Sequence, residues 1–229
     1  MKSTELRRLY ASIKKLSHCP QEYERFINAG VIIPDPDGVY VSVVTAPEMK
    51  IGNKTILSPQ VYLLGYVRIG ERCIIGPGIT LCDVKIGNDV LIGRPQLMDV
   101  ILKDGVRIGR FTEVTRSHIG RKSAAQHLSY IGDTFIGENV NVGAGMVTCN
   151  FDGEHHHETS IEDGAFPGVN TSLVAPVTLG KECCVGAGSV VTKDVPAHAI
   201  VVGIPARPLE GATWHRTATG WKKQTHQPL

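Results

Sequence analysis

Aromatic side chains are scarce in this chain of 229 residues: they make up 6%, with two tryptophans among them. A core anchored on large rings is therefore excluded. Charge imbalance is missing too, since 24 Lys and Arg face 22 Asp and Glu, for a formal charge of +2. A dominant nucleic-acid footprint needs a strong basic excess, so no nucleic acid is expected as a partner. No apolar run approaches the ~20 residues of a membrane-spanning helix, so no membrane partner is expected either. The basic segment Met1 to Leu16 has no continuous apolar core and does not read as a secretory signal. The six cysteines, from Cys19 to Cys184, include no Cys-x-x-Cys pair, and they read as reduced thiols of a cytoplasmic protein. With 42% hydrophobic and 20% charged residues the chain has globular, not disordered, composition. Glycine alone is abundant: it occurs 25 times, about 11% against a usual ~7%.

The glycines are in phase. Gly follows Ile nine times, from Ile51 to Ile136, and Val142-Gly143, Leu179-Gly180 and Val185-Gly186 continue the series. The spacing is mostly five or six residues; Ile119 to Ile136 spans 17 and Ile161 to Leu179 spans 18. Three hexads thus build a longer period, the signature of a hexapeptide β-helix. A period of about six cannot hold one face of an α-helix, whose period is ~3.6. It does place one inward aliphatic residue on each side of a three-sided coil. Short strands with β-branched residues suit the sides, and glycine suits tight corners, some with φ above zero. Coils stack as parallel strands ~4.8 Å apart, and each buries its aliphatic residues only against its neighbours. Residues 51–192 hold about eight such coils. The expected fold is an all-β solenoid whose flat faces favour self-association.

Three segments break the phase. Residues 1–30 read as an N-terminal helical cap, with Leu6, Leu9, Ile13 and Leu16 on one stripe opposite Arg7, Arg8, Lys14 and Lys15. A membrane-surface helix shares this pattern, but a packed stripe under a solvated face is the simpler reading, and it covers the exposed edge of the first coil. Within the solenoid domain, residues 31–195, the polar insertion 148–159 contains Asp152-Gly153 and His155-His156-His157. Loops on a rigid scaffold commonly carry function. Residues 196–229, with Trp214 and Trp221, are expected to form an irregular tail that packs along the solenoid or on a neighbour.

Several blocks resemble one enzyme family. His127-Leu128-Ser129-Tyr130-Ile131-Gly132-Asp133, Asn139 to Gly145, Thr148-Cys149-Asn150-Phe151-Asp152-Gly153, Leu173 to Thr178 and Val191 to Val195 keep one register from about Phe111 to Val195. They are similar to the acetyltransferase half of the bacterial bifunctional N-acetylglucosamine-1-phosphate uridyltransferase/glucosamine-1-phosphate acetyltransferase. The nucleotidyltransferase half has no counterpart in this sequence. The resemblance implies a left-handed parallel β-helix, a homotrimer with the active site between subunits, and acetyl-CoA as donor.

Acyl transfer from a thioester to an amine needs a base for the ammonium proton, a donor for the tetrahedral oxyanion and a channel for the CoA arm. By the resemblance His127 is the general base and Asn150 stands beside the acetyl group. Tyr130 and Asn141 match acceptor-contacting positions. Ala144 and Ala187 match positions along the CoA path, while Phe151 and Val169 replace a family tyrosine and serine there. The segment Gly203 to Arg207 looks like the ending of other hexapeptide acyltransferases, which puts Arg207 at a CoA phosphate.

The departures bear on the acceptor. The family's phosphate-binding arginine falls on Leu97, with Arg94-Pro95 the nearest candidate; a lysine falls on Thr115, with Arg116 adjacent; the loop lysine falls on His156. A sugar phosphate needs charge-assisted donors to offset lost hydration. The expectation is a retained acetyl-CoA reaction on a changed acceptor: an amino sugar, a sugar nucleotide or another small amine. A non-catalytic scaffold or regulatory trimer is the alternative, against which the retention of His127, Asn141 and Asn150 speaks. A zinc lyase is a third reading, but consecutive histidines on an extended strand point alternately and make a poor zinc tripod, so no metal is expected. By the same alternation Cys183 and Cys184 face opposite ways.

Overall fold

The aliphatic-glycine phase folds into a parallel β-solenoid of about nine turns in the computed structural model, which describes residues 16–17, 20–42, 48–217 and 220–225. Each turn feeds three walls. The first wall is a six-stranded parallel sheet from Ile56–Leu57 to Asn141–Val142, followed by Phe166–Pro167, Cys184–Val185 and Ala199–Val202. Along its outer face Ile74, Leu91, Arg107, Ala124 and Asn141 are register partners in turn. The second and third walls share a 14-stranded sheet, because long strands such as Val61–Ile69 and Glu113–Ile119 run through the corner between them. Thr80, Gln96, Glu113, Tyr130 and Val147 form the outer row of the second wall. Ile101, His118, Phe135 and Ser160 form that of the third.

Alternation puts the other residue of each strand inside. Ile75, Ile92 and Ile108, Leu81, Leu97 and Val114, and Leu102, Ile119 and Ile136 are all at most 1% exposed. Burying each such side chain contributes about 1.5–3 kcal/mol. The glycine after most of these isoleucines is required by contact, not by torsion. A Cβ on Gly109 would lie 1.7 Å from the carbonyl oxygen of Gln126, and one on Gly76 2.1 Å from that of Gly93. Each glycine thus lets the next coil's backbone approach. Positive φ falls largely elsewhere than the sequence suggested: at the corner between the second and third walls it is borne by Asp83, Asp99, Arg116 and Asp133 as well as Gly65.

The ends differ from the sequence expectation. The N-terminal helix α1 spans Pro20–Asn28, and proline suits the first position because its missing N–H is unneeded there. Gly30, at φ 84°, closes α1 as bonds run from Gly30 N to Ile27 O and Val31 N to Phe26 O. Tyr23 and Phe26 of α1 are buried in the core, and the Tyr23 hydroxyl donates to the Val39 carbonyl. Leu16, expected on a helix, lies in the short strand Leu16–Ser17, which pairs antiparallel with Val41 and Ser42. Leu6, Leu9 and Ile13 lie outside the described residues. At the other end parallel stacking runs past residue 195 to Ala199–Val202. The expected irregular tail is a β-hairpin, Arg207–Thr217 against Gly220–Thr225, added antiparallel to that edge. A segment without the six-residue period is still free to pair as ordinary antiparallel strands. No helix among the described residues is long and apolar enough to cross a membrane.

Candidate functional site

His127 ends the strand Ala124–His127, at the corner leading from the first wall to the second. Backbone bonds stack this corner coil upon coil. Phe111 N donates to Arg94 O, Leu128 N to Arg110 O, Gly145 N to His127 O, Asn170 N to Ala144 O and Gly188 N to Val169 O. Arg94, Arg110, His127, Ala144, Val169 and Ala187 therefore stand one above another. The His127 side chain is exposed. Above it the column carries only small side chains; below it lie two guanidinium groups. A crevice of about 270 Å³ opens beside it, lined by Leu91, Arg107, Arg110, Gln126 and His127 among others. Asn141 is exposed on the same first wall as the register partner of Ala124.

A second group gathers around the corner on the second wall. Arg116 grips the Asp133 carboxylate with both ends of its fork, Nε to Oδ1 at 2.5 Å and Nη2 to Oδ2 at 2.8 Å. Asn150, only 5% exposed, donates its Nδ2 to the same carboxylate. His156 Nδ1 lies 3.0 Å from Asp133 Oδ2. Burial pushes the Asp133 carboxyl up, but the bond and charge of Arg116, the Asn150 amide and the His156 charge outweigh it and hold the group below the ordinary carboxylate range. Tyr130 Oη and Asn150 Nδ2 both press on Gly132, where a Cβ would lie 2.7 and 2.5 Å from them. Glu113, Thr115, Arg116, Tyr130 and His156 line a small pocket of about 90 Å³. A cleft of about 480 Å³ continues from it past Gln96 and Glu113 to Arg94.

The structure revises one alignment. Leu97 is fully buried between its register partners Leu81 and Val114, so its side chain faces no acceptor. Arg94 lines the cleft, whose wall also includes Leu97, and places Nε on the Pro77 carbonyl at 3.3 Å. Phe151 lies on the insertion loop with its ring 5.1 Å from that of His156. The loop is held by Asp152, which accepts from the backbone N–H groups of Glu154 and His155 and bonds His157 Nε2 at 2.6 Å. These bonds, the one from the His155 backbone foremost, hold the Asp152 carboxyl well below its ordinary range. The three histidines thus go to three different acids: His155 lies beside Glu154, His156 beside Asp133 and His157 beside Asp152. Among the described residues no group of three His, Cys, Asp or Glu side chains is placed to hold a metal ion.

Cys183 and Cys184 face opposite ways, Cys183 into the core and Cys184 onto the outer face of the first wall. Both are buried, and burial pushes their thiols up to about 12 and about 11. Cys184 stands between Phe166 and Ile200, and the hairpin's Trp214 stacks on Phe166 with ring centroids 5.9 Å apart. Neither thiol is a thiolate nucleophile near neutral pH. Arg207 opens the hairpin, exposed, with Nη1 on the Ala206 carbonyl. The Trp221 side chain lies outside the described residues.

One chain therefore sets His127, Asn141 and the Ala144–Val169–Ala187 column on one side of a corner. Tyr130, Asn150, Arg116 and Phe151 lie on the other, and Arg94 reaches both. Asp133 as the hub of the second group was not foreseen. The signal for it was present: Asp83, Asp99, Arg116 and Asp133 recur at one coil position.

A family model described as the hexapeptide repeat of succinyl-transferase matches residues 158–193. The chain is 43% identical over 196 residues to the bifunctional protein GlmU of Heliobacterium modesticaldum, covering 78% of this chain and 42% of that protein. It is 42% identical over 201 residues to the protein of the same name from Thermotoga maritima, covering 80% of this chain and 44% of that one. The chain thus spans less than half the length of these relatives. Among solved structures, the UDP-N-acetylglucosamine acyltransferase from Campylobacter jejuni superposes with a TM-score of 0.63 at 16% identity, over 79% of this chain and 72% of that one. The Arabidopsis enzyme of that name gives 0.59 at 18% identity, over 79% of this chain and 70% of that one. At such identities these likenesses speak to the fold.

Proposed function

We propose that the chain, which carries the hexapeptide repeat and is 43% identical to a bifunctional GlmU over 196 residues, is an acyltransferase of the hexapeptide-repeat family, an acetyl-CoA-dependent N-acetyltransferase acting on an amino sugar or a related small amine. The observation that carries this reading is the corner column. It sets an exposed imidazole, His127, directly beneath the small side chains of Ala144, Val169 and Ala187, which leave room for a pantetheine arm. In this mechanism neutral His127 takes a proton from the acceptor ammonium. The freed amine attacks the thioester carbonyl, so that the N–C bond forms and the C=O becomes an oxyanion. Backbone N–H groups near Ala144 and the Asn150 loop stabilise that charge. Collapse breaks the C–S bond, the departing thiolate takes the proton from His127, and the second proton of the former ammonium leaves the nitrogen for solvent, which yields the neutral amide and free CoA.

A homotrimer belongs to the same reading. Ile74 and Leu91 on the first wall and Phe111 and Leu128 at its corner expose between 44% and 68% of their surface. Such apolar area around a half-assembled site suits a second copy of the chain. His127→Ala tests the mechanism. The variant is expected to fold and assemble like the parent and to lose about 10²–10⁴-fold in acetyl transfer. Equal turnover in variant and parent at neutral pH removes His127 from the reaction.

A further inference from the structure

The acceptor side of the site holds a carboxylate that acetyl transfer itself does not use. Asp133 is clamped by the bidentate Arg116 fork, a geometry that fixes the carboxylate in its plane. A fixed carboxylate dictates how its other two partners turn. An amide facing it must offer NH2, since two oxygens facing one another gain no hydrogen bond. Asn150 Nδ2 lies on Asp133 Oδ2, so the carbonyl oxygen of Asn150 is its remaining end. An imidazole facing a carboxylate through Nδ1 carries a proton there. His156 Nδ1 lies 3.0 Å from the same oxygen, which leaves Nε2 as its remaining nitrogen. Tyr130 joins the assembly through Gly132, against which both its hydroxyl and the Asn150 amide pack. His156, Tyr130 and Arg116 then meet Glu113 and Thr115 around one pocket.

We propose that Asp133 is the positioning residue of the acceptor pocket: clamped by Arg116, it fixes the Asn150 amide and the His156 tautomer so that the Asn150 carbonyl and His156 Nε2 serve the incoming amine substrate. The proposal rests on the acetyltransferase reading for its substrate, though not for its geometry. It gives Asn150 a definite chemical part. Its carbonyl accepts from the acceptor's ammonium or hydroxyls, so stabilising the oxyanion falls to backbone donors. It also accounts for His156 standing where the resembled family has a lysine: an imidazole on Asp133 offers one directed nitrogen instead of a mobile point charge.

Nitrogen-15 NMR of the parent protein, at a pH where the histidine rings are neutral, reads the His156 tautomer without any turnover. The expected signal is a proton on Nδ1; a proton on Nε2 overturns the proposal whether or not the protein acetylates anything. Steady-state kinetics with acetyl-CoA and an accepted amine supply the second readout. Asp133→Asn is expected to lose the Nδ1 tautomer and about 10–100-fold in kcat/KM for the amine, with the KM for acetyl-CoA unchanged. An unchanged tautomer, or an equal loss toward both substrates, gives Asp133 a structural role only and overturns the proposal. Should that variant not fold, His156→Gln on the loop decides with the parent spectrum: a raised KM for the amine alone supports the proposal, and parent kinetics overturn it.

Discussion

Gly109→Ala isolates the reason for the glycine repeat. A methyl group there would stand 1.7 Å from the Gln126 carbonyl oxygen, whereas real Cβ atoms stay beyond 3.0 Å from such neighbours. The obstacle is backbone, so the two coils must part by more than an ångström. Parting them strains the ladder that pairs Arg107, Ile108 and Arg110 with Ala124, Ala125 and His127. Overpacking costs about 1–3 kcal/mol, and each buried ladder bond left unmade costs about 1–3 kcal/mol more. A loss of about 3–5 kcal/mol follows, or very roughly 10 °C in Tm for a chain of this size. Gly188→Ala is the control. Gly188 has φ 70° and open space around its Cβ direction, so only the left-handed torsion is penalised, at about 1–2 kcal/mol. Chemical denaturation of both variants at one fixed protein concentration gives the comparison. Should Gly109→Ala cost no more than Gly188→Ala, close coil approach is not what the repeat's glycines provide.

Three further outcomes follow from the same geometry. Thr115 lines the small pocket beside Arg116 and Tyr130 that the proposed reaction gives to the acceptor, so Thr115→Lys should raise kcat/KM for a phosphorylated amino sugar by about 10–100-fold, one charge-assisted bond's worth; no gain in competition assays against the unphosphorylated sugar refutes this. Deleting residues 207–229 removes the exposed Arg207 beside Ala206 and takes Trp214 from Phe166. The KM for acetyl-CoA should rise, and Cys184, whose thiol burial holds at about 11, should become reactive to a thiol reagent at about pH 8; a silent Cys184 means that the hairpin does not cover it. Finally, Asp133 has a folded pKa below its ordinary 3.8, so its stabilising contribution is complete above that pH and is lost as pH falls through the folded value. The parent should lose more stability than Asp133→Asn below pH 3.8, and parallel acid-unfolding curves contradict the role of the Arg116 clamp.

The solenoid was legible because its physics is periodic. An inward aliphatic residue on each wall repeats every five or six positions, and nothing but a stacked coil satisfies that phase. The purpose of the glycines was not legible, because the sequence does not say which backbone lies opposite Gly109. The corners were only partly legible: Gly65, Gly105 and Gly145 take positive φ as glycine suits, but Arg116 and Asp133 also take left-handed torsions while bonded to each other across coils, a pairing of residues 17 apart. Leu16 followed a helical stripe on paper, yet it pairs with Ser42 in a strand. The candidate base and the column above it were legible through short motifs, His127 to Asp133 and Asn139 to Gly145. The Asp133 cluster was not, since it joins a corner to a loop, and nothing local shows His156 folding back onto Asp133.

The account stands on acetyl transfer to an amine at the His127 corner. The most direct measurement is mass spectrometry of the assembled protein's products, with acetyl-CoA at saturation and a panel of amino sugars, sugar nucleotides and small amines. The account predicts stoichiometric release of free CoA with one acetyl group gained on nitrogen by at least one amine. It also predicts that both signals collapse together in His127→Ala. No thiol release above the uncatalysed rate with any amine, while acetyl-CoA binds the protein, would contradict it and leave the solenoid a binding scaffold.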